Sequence, residues 1–225
     1  MADKIDPLNS ESIQNFIKSV YTLEQRQEGR VSTNALAEML AITAPSVTDM
    51  ARRLQDIGLL DYQKYRGVIL TAEGESLALK ILRRHRLIEL YLVEELGYAL
   101  QDVHDEAEHL EHAVSDQFIE AISRRLGHPD VDPHGDPIPA VDGSITPRDL
   151  VALIALPPKT PAVVSRFESD NQEMLHHILE RGFKLGAEIE LVSLDPFEGP
   201  VTVQVDGHQI IIGHHVAASI MVEVL

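Results

Sequence analysis

The sequence predicts a mainly α fold with small β parts: an N-terminal winged helix-turn-helix, a helical middle segment and a C-terminal barrel-like β module. Three observations predict it. Helix, tight turn, helix and a basic-tipped hairpin follow one another within the first 72 residues. Apolar residues at helical spacing continue to about residue 126, whereas short apolar runs bounded by turn residues dominate after residue 150. Between them, residues 127–147 hold five prolines and three glycines, a linker or irregular strap.

Residues 12–28 read as a first helix, with Ile13, Phe16, Ile17, Val20 and Leu23 on one face. Ser32 can cap a second, Asn34–Leu40, whose inner face is Leu36, Ala37 and Leu40. After the turn Ala41-Ile42-Thr43 a third helix spans about Ala44–Ile57. Pro45 lies in its first turn, where a missing N–H is tolerated, and Gly58 suits its end. Leu59–Gln63 and Val68–Thr71 form a hairpin tipped by Lys64-Tyr65-Arg66-Gly67. Thr71 caps a long helix to about Leu96, with Leu77, Ile81, Ile88 and Leu92 as its stripe and Gly97 as its stop. The next helix covers roughly 102–126. Strand-like runs follow at Leu150–Leu156, Ala162–Phe167, Glu188–Leu194, Val201–Val205, Gln209–Ile212 and Ile220–Val224, with a short helix near 171–181. Asp206-Gly207 is a type I′ hairpin signal. The chain has no internal repeat and no low-complexity tract.

Composition narrows the chemistry. The 225 residues include no cysteine, which excludes disulfide frameworks, thiolate zinc sites, iron–sulfur clusters and cysteine nucleophiles. No apolar run approaches the ~18 residues of a membrane span, so a cytoplasmic protein with no membrane partner is expected. The net charge of −17 is polarised: residues 1–86 carry +1 and residues 87–225 carry −18, with eight bases between Arg52 and Arg86. That confinement suits DNA contact by the N-terminal third. The third helix presents Ser46, Thr48, Asp49, Arg52 and Arg53 on its polar side. Small hydroxyl residues permit close entry into a major groove, and Arg52, Arg53, Lys64 and Arg66 can neutralise phosphates. Asp49 could accept from a cytosine amino group or penalise wrong sequences. Trihelical cores of this kind also serve in protein-interaction domains.

His104, Glu108, Glu111 and His112 share one helical face at roughly 100° per residue, opposite Val103, Ala107, Leu110 and Val114. Imidazoles beside carboxylates offer a divalent cation pre-aligned donors. A second pair, His85 and Glu89, is four apart on the preceding helix, and an antiparallel pairing would bring the sets together. Oxygen and nitrogen donors suit Mn²⁺, Fe²⁺, Co²⁺ or Zn²⁺, leaning toward the harder ions. The bland alternative is a solvated acidic face with incidental histidines. His109 points elsewhere, and neither H-E-x-x-H nor H-x-x-E-H is present.

The segment Arg84-His85-Arg86-Leu87, the run Val103-His104-Asp105-Glu106-Ala107, the pairs Glu111-His112 and Ser115-Asp116, and the strap His134-Gly135-Asp136-Pro137-Ile138-Pro139 resemble signatures of one family. It is the diphtheria toxin repressor family of metal-dependent transcriptional regulators, and the resemblance covers essentially the whole chain. It implies a winged-helix domain (1–72), a helical dimerisation and metal domain with the strap (73–145) and an SH3-like, FeoA-like module (146–225). It also implies a primary metal site at Asn15, Glu108, Glu111 and His112, and an ancillary site at His85, Glu89 and His104. Asp170 and Glu173 would assist the ancillary site, although Asp170-x-x-Glu173 is equally a helix capping box. DNA reading would fall to Thr43, Pro45, Ser46, Thr48 and Asp49.

At position 108 the family's iron-responsive branch has cysteine and its manganese-responsive branch glutamate, so Glu108 favours manganese. Asn15 is a neutral oxygen donor where the branches have methionine or aspartate. Lys18 replaces a glutamate that helps hold two manganese ions, which implies one ion per primary site. The expected function is therefore a non-enzymatic repressor: a homodimer that takes Mn²⁺ as co-repressor and grips palindromic operator DNA of metal-uptake genes. Fe²⁺ is the alternative ion, with Co²⁺ or Zn²⁺ substituting in vitro. Two other classes stay open on the residues alone: a metal-dependent hydrolase with an accessory winged helix, and a metal-independent DNA-binding or scaffold protein.

Overall fold

The computed structural model describes residues 10–168 and 171–225. They fall into two compact units. One holds the chain up to His85 together with Glu108–Ile119 and Pro139–Ser144; the other holds Arg86–Ala107, Glu120–Ile138 and Ile145–Leu225. No helix among the described residues is long and apolar enough to cross a membrane.

In the first unit, helix α1 (Glu11–Arg26) buries Ile13, Phe16, Ile17 and Val20. Helix α2 (Thr33–Met39) starts at Ser32, whose hydroxyl accepts from the Ala35 N–H at 3.1 Å. Helix α3 (Ala44–Asp56) starts at Thr43, which accepts from the Ser46 N–H at 3.3 Å. Leu36 of α2 and Val47, Ala51 and Leu54 of α3 are wholly buried, so the three amphipathic stripes converge on one core. Gly58 closes α3 at φ +80°.

Strands β1 (Leu60–Gln63) and β2 (Gly67–Leu70) form the wing, Gln63 facing Gly67 across a tip of Lys64, Tyr65 and Arg66. Val31 adds a third rung by exchanging backbone hydrogen bonds with Val68 at 2.8 and 2.9 Å. That rung needs Gly67: at φ +98°, a Cβ there would lie 2.1 Å from the Val31 carbonyl oxygen.

Helix α4 (Ala72–Leu96) begins where Thr71 Oγ1 accepts from the Gly74 N–H at 3.1 Å. Ile81, Ile88 and Leu92 of its expected stripe are buried, and Leu77 is half-buried. Gly97 turns the chain at φ +73°, and the Tyr98 N–H returns to the Leu92 carbonyl at 3.0 Å. The single helix expected over 102–126 is instead two, α5 (Val103–Glu111) and α6 (Asp116–Arg125), preceded by a 3₁₀ turn at Leu100–Asp102. Ser115 makes the break. Its hydroxyl accepts from the Phe118 N–H at 3.2 Å, while Lys80 at 2.8 Å and Arg84 at 2.5 Å hold Asp116 at the new N-terminus.

In the second unit, six antiparallel strands run in the order β3-β8-β4-β5-β6-β7: β3 (Val151–Ala152), β4 (Pro161–Phe167), β5 (Glu188–Leu194), β6 (Val201–Val205), β7 (His208–Ile212) and β8 (Ile220–Val224). Alternate residues Ile189 and Leu191 of β5, and Val201, Val203 and Val205 of β6, line the core. Helix α7 (Gln172–Glu180) adds Leu175 and Ile178, and Leu100 packs against the same core. Asp206 and Gly207 have positive φ, as a type I′ turn requires. Three expectations need correction. The run Leu150–Leu156 is a two-residue strand that turns into a 3₁₀ helix at Leu153–Ala155. A short helix α8 (His214–Ala218), too brief to show a period, follows Gly213. Asn171, not Asp170, caps α7, accepting from the Met174 N–H at 3.1 Å.

The strap docks on β4. A bulge between Val164 and Arg166 turns the Ser165 carbonyl toward Gly135, where a Cβ would lie 2.1 Å from it, and Arg148 donates to the same oxygen at 3.3 Å. The Phe167 N–H donates to the His134 carbonyl at 2.9 Å.

Gly67→Ala is expected to lower unfolding free energy by about 2 kcal/mol or more, because both φ and the Val31 contact are violated. Gly29→Ala, at φ +84° with open space around it, should lose only about 1 kcal/mol. Urea denaturation of both variants measures the difference.

Candidate metal centre

Glu111, at the C-terminal end of α5, is fully buried and satisfied on both oxygens. Lys18 Nζ of α1 donates to its Oε1 at 2.6 Å, and His85 Nδ1 of α4 stands 2.6 Å from its Oε2. Lys18 also donates to Glu108 Oε1 at 2.5 Å, and His85 Nδ1 is 3.8 Å from that oxygen. Burial pushes the Glu111 carboxyl up, but His85 and Lys18 outweigh it and hold the group below its ordinary value.

Two buried polar atoms of the same unit have no hydrogen-bond partner, Asn15 Oδ1 on α1 and His112 Nε2 in the turn after α5. The other ring nitrogen of His112 is 2.7 Å from Gln14 Oε1, and Nε2 itself is 3.4 Å from Glu111 Oε1. Burial lowers the His112 imidazolium pKa against the upward pull of Glu111, so the ring is neutral at neutral pH and can donate a lone pair. Buried acceptors without donors are rare because they forfeit hydration without replacement. Each is a donor of the kind a divalent cation takes, and Glu111 beside His112 offers the anionic partner, so the donor chemistry fits such an ion.

The proposed primary residues Asn15, Glu111, His112 and Glu108 thus all lie in the first unit, on α1, α5 and the turn after α5. His85, grouped from sequence with Glu89 and His104, contacts Glu111 and Glu108 here. In the second unit, His104 Nδ1 is 3.2 Å from Glu89 Oε1, and His134 Nε2 of the strap is 3.7 Å from the same oxygen. Burial opposes protonation of His134, but Glu89, with Asp132 and Asp136, raises its pKa. Burial, Asp136 and Glu89 push Asp132 up to about 7 against Arg86 and His134. Glu173 is exposed in the first turn of α7, and Asp170 lies outside the described residues.

Sequence reasoning missed Gln14 and His134. Gln14 is a buried polar residue on the flank of the α1 stripe, a position whose polarity was the available signal. His134 carries none beyond its place in the strap.

On the wing and α3, Pro45, Ser46, Asp49, Arg52, Arg53, Lys64 and Arg66 are exposed. Thr43 is exposed as the α3 cap, and Thr48 is half-buried with its hydroxyl donating to the Ala44 carbonyl at 3.1 Å. Asp49 lies 3.9 Å from Arg52, one turn on, and Lys64 stacks its ammonium 4.8 Å from the Tyr65 ring centre.

Three family descriptions match in succession. They are the iron-dependent repressor N-terminal DNA-binding domain (residues 9–68), the iron-dependent repressor metal-binding and dimerisation domain (71–140) and the FeoA domain (151–224). The iron-dependent repressor IdeR of Mycobacterium tuberculosis H37Rv is 30% identical over 222 residues, 92% of this chain and 95% of that one. The chain belongs to the diphtheria toxin repressor family of metal-dependent transcriptional repressors. The diphtheria toxin repressor of Corynebacterium diphtheriae is 28% identical across 93% of this chain and 96% of its own. Among solved structures, a manganese-dependent transcriptional repressor in complex with manganese superposes with TM-score 0.86 at 36% identity, covering 95% of this chain and all of that one. The manganese regulator SloR gives TM-score 0.74 at 33% identity, covering 95% and 98%. These family relatives are repressors rather than enzymes, which removes the support for a hydrolase.

In metal-free protein, Glu111→Gln is expected to lose about 3 kcal/mol at neutral pH, since Lys18 and His85 lose a buried anion. A depressed carboxyl pKa gives stability that is present above the usual 4.5 and lost as pH falls through the folded value. The variant should therefore also show a shallower acid limb in denaturation curves recorded from pH 7 downward.

Proposed function

We propose that this protein is a Mn²⁺-activated repressor that binds palindromic operators of metal-uptake genes as a homodimer in the cytoplasm. The observation that carries the reading is the unpartnered His112 Nε2, 3.4 Å from the fully buried Glu111 carboxylate, with Asn15 Oδ1 of α1 a second buried atom that lacks a hydrogen-bond partner. Manganese is favoured over Fe²⁺ because every candidate donor is a carboxylate, amide oxygen or imidazole. The domains implied are 1–72, 73–145 and 146–225. A second, ancillary ion would draw on Glu89 and His104.

The bound ion would supply positive charge and a fixed coordination geometry between helices. The protein's own residues do the rest. Asn15, Gln14 and Lys18 belong to α1, whose apolar face packs in the DNA-reading core, while Glu111 and His112 belong to the helical segment. Joining them restrains α1 and thereby the placement of α3 and the wing. Metal and operator binding are then coupled, and the coupling is reciprocal. Arg52, Arg53, Lys64 and Arg66 supply phosphate contacts, and Ser46 and Asp49 meet base edges.

Fluorescence anisotropy with an operator duplex tests this. Saturating Mn²⁺ should tighten binding about 100-fold over an EDTA control. His112→Ala should abolish that gain, while Arg52→Ala and Lys64→Ala should each reduce the salt slope by about 1. Equal operator affinity with EDTA and with Mn²⁺ would end the proposal.

A further inference from the structure

We propose that Tyr65, at the tip of the wing, is a DNA-contact residue: its hydroxyl donates to a backbone phosphate flanking the groove that α3 enters, and its ring lies against the adjoining sugar. The inference goes beyond the metal reading above. It rests only on DNA binding by the N-terminal domain, whose family description spans Tyr65.

Backbone chemistry makes this residue unusual. The Arg66 N–H donates to the Gln63 carbonyl at 2.9 Å, which closes a four-residue turn with Lys64 and Tyr65 at its centre. Of the two, only Tyr65 has positive φ, at +67°, the pattern of a type II turn. Glycine suits that position, because a side chain there crowds the following carbonyl. Tyrosine therefore costs folding energy here, and packing does not offset it: the residue is 92% exposed. A large aromatic group held clear of the core, on a backbone that disfavours it, serves something outside the fold.

Its surroundings say what. Lys64 places its ammonium 4.8 Å from the ring centre, and Arg66 follows in the chain, so the tip Lys64-Tyr65-Arg66 carries two cations and no acid. Such a tip attracts a polyanion. It is also firmly aimed. The Tyr62 N–H of β1 donates to Gln55 Oε1 of α3 at 3.0 Å, and the Leu70 N–H of β2 donates to Glu24 Oε1 of α1 at 2.9 Å. Arg30 donates to the Asp61 carbonyl at 2.7 Å. The tip thus keeps a fixed place relative to α3, and a helix seated in the major groove sets the wing against the neighbouring backbone. A phenol hydroxyl there finds a phosphate oxygen as acceptor. Lys64, on one face of the ring, neutralises the same phosphate, so the two residues act as one contact. Because that contact meets phosphate and sugar, it serves every sequence alike.

Anisotropy on the full chain tests this with two duplexes: one of mixed sequence, about 30 base pairs long, in low salt, and one selected from a random pool by the native chain. Tyr65→Gly should weaken binding to both about tenfold, and Tyr65→Phe, which keeps the ring, should fall between that variant and the native chain. Losses from Tyr65→Gly and Lys64→Ala should be less than additive in the double variant. Thermal unfolding of Tyr65→Gly should match or exceed the native melting point, since glycine suits the turn. Unchanged affinity of Tyr65→Gly for the mixed duplex overturns the proposal. So does a loss confined to the selected duplex, which would make Tyr65 a base reader. A melting point about 4 °C or more below native overturns it too, because the ring would then serve the fold. Binding to the mixed duplex is measured in EDTA as well as in Mn²⁺. Absence of any Mn²⁺ effect then counts against the metal switch and leaves the Tyr65 comparison intact.

Discussion

A carboxylate with no exposed surface must be compensated where it sits, because moving it from water to the interior carries a penalty of several kcal/mol. Glu111 is such a group. Its two oxygens draw Lys18 from α1 and His85 from α4, so three helices meet at one charge. This requirement organises the first unit around a polar centre as well as an apolar one. Helix α5 ends at Glu111, and the turn that follows brings His112 Nε2 within 3.4 Å of the same carboxylate. The apolar stripe of α1 sets the helix in the DNA-reading core, while its polar flank carries the groups that answer Glu111.

Much of this was legible in the chain alone, for identifiable reasons. Capping residues announce helix starts by local chemistry, so Ser32, Thr43 and Thr71 marked their helices, and Gly58 and Gly97 marked ends. The wing was readable because turn residues and alternation are local signals as well. That Glu108, Glu111 and His112 share a helical face was visible from their spacing. What failed was non-local or too short. The split between α5 and α6 depends on Lys80 and Arg84 reaching Asp116 from a distant helix, which no local period encodes. The five-residue α8 and the two-residue β3 are shorter than any period. Glu111 was read as facing away from the apolar seam, yet it is buried, because the partners that permit its burial lie 93 and 26 positions away in the chain.

The second unit shows a different economy. The β module has an apolar core of its own, and the strap reaches it through a backbone irregularity rather than through side-chain packing alone. A bulge at Ser165 exposes one carbonyl, Gly135 lies against it without a side chain, and Arg148 shares the same acceptor. Arg166, next in the bulge, lies 3.7 Å from Asp136. Backbone irregularity in one segment is thus matched by a glycine in another. The same stretch brings His134 toward Glu89, so the path of the strap also governs the electrostatics of that carboxylate.

The Gln14 amide oxygen facing His112 Nδ1 has a consequence for which tautomer the imidazole adopts. An amide oxygen can only accept, so this contact calls for the ring proton on Nδ1 and leaves the electron pair on Nε2, 3.4 Å from Glu111 Oε1. The histidine is thereby polarised in advance as a Lewis base. An electrophile arriving there meets an oriented donor and displaces no proton from it, whereas a hydrogen-bond acceptor arriving there finds nothing to bind. Selection for positive guests is thus written into a glutamine one turn from the start of the first helix.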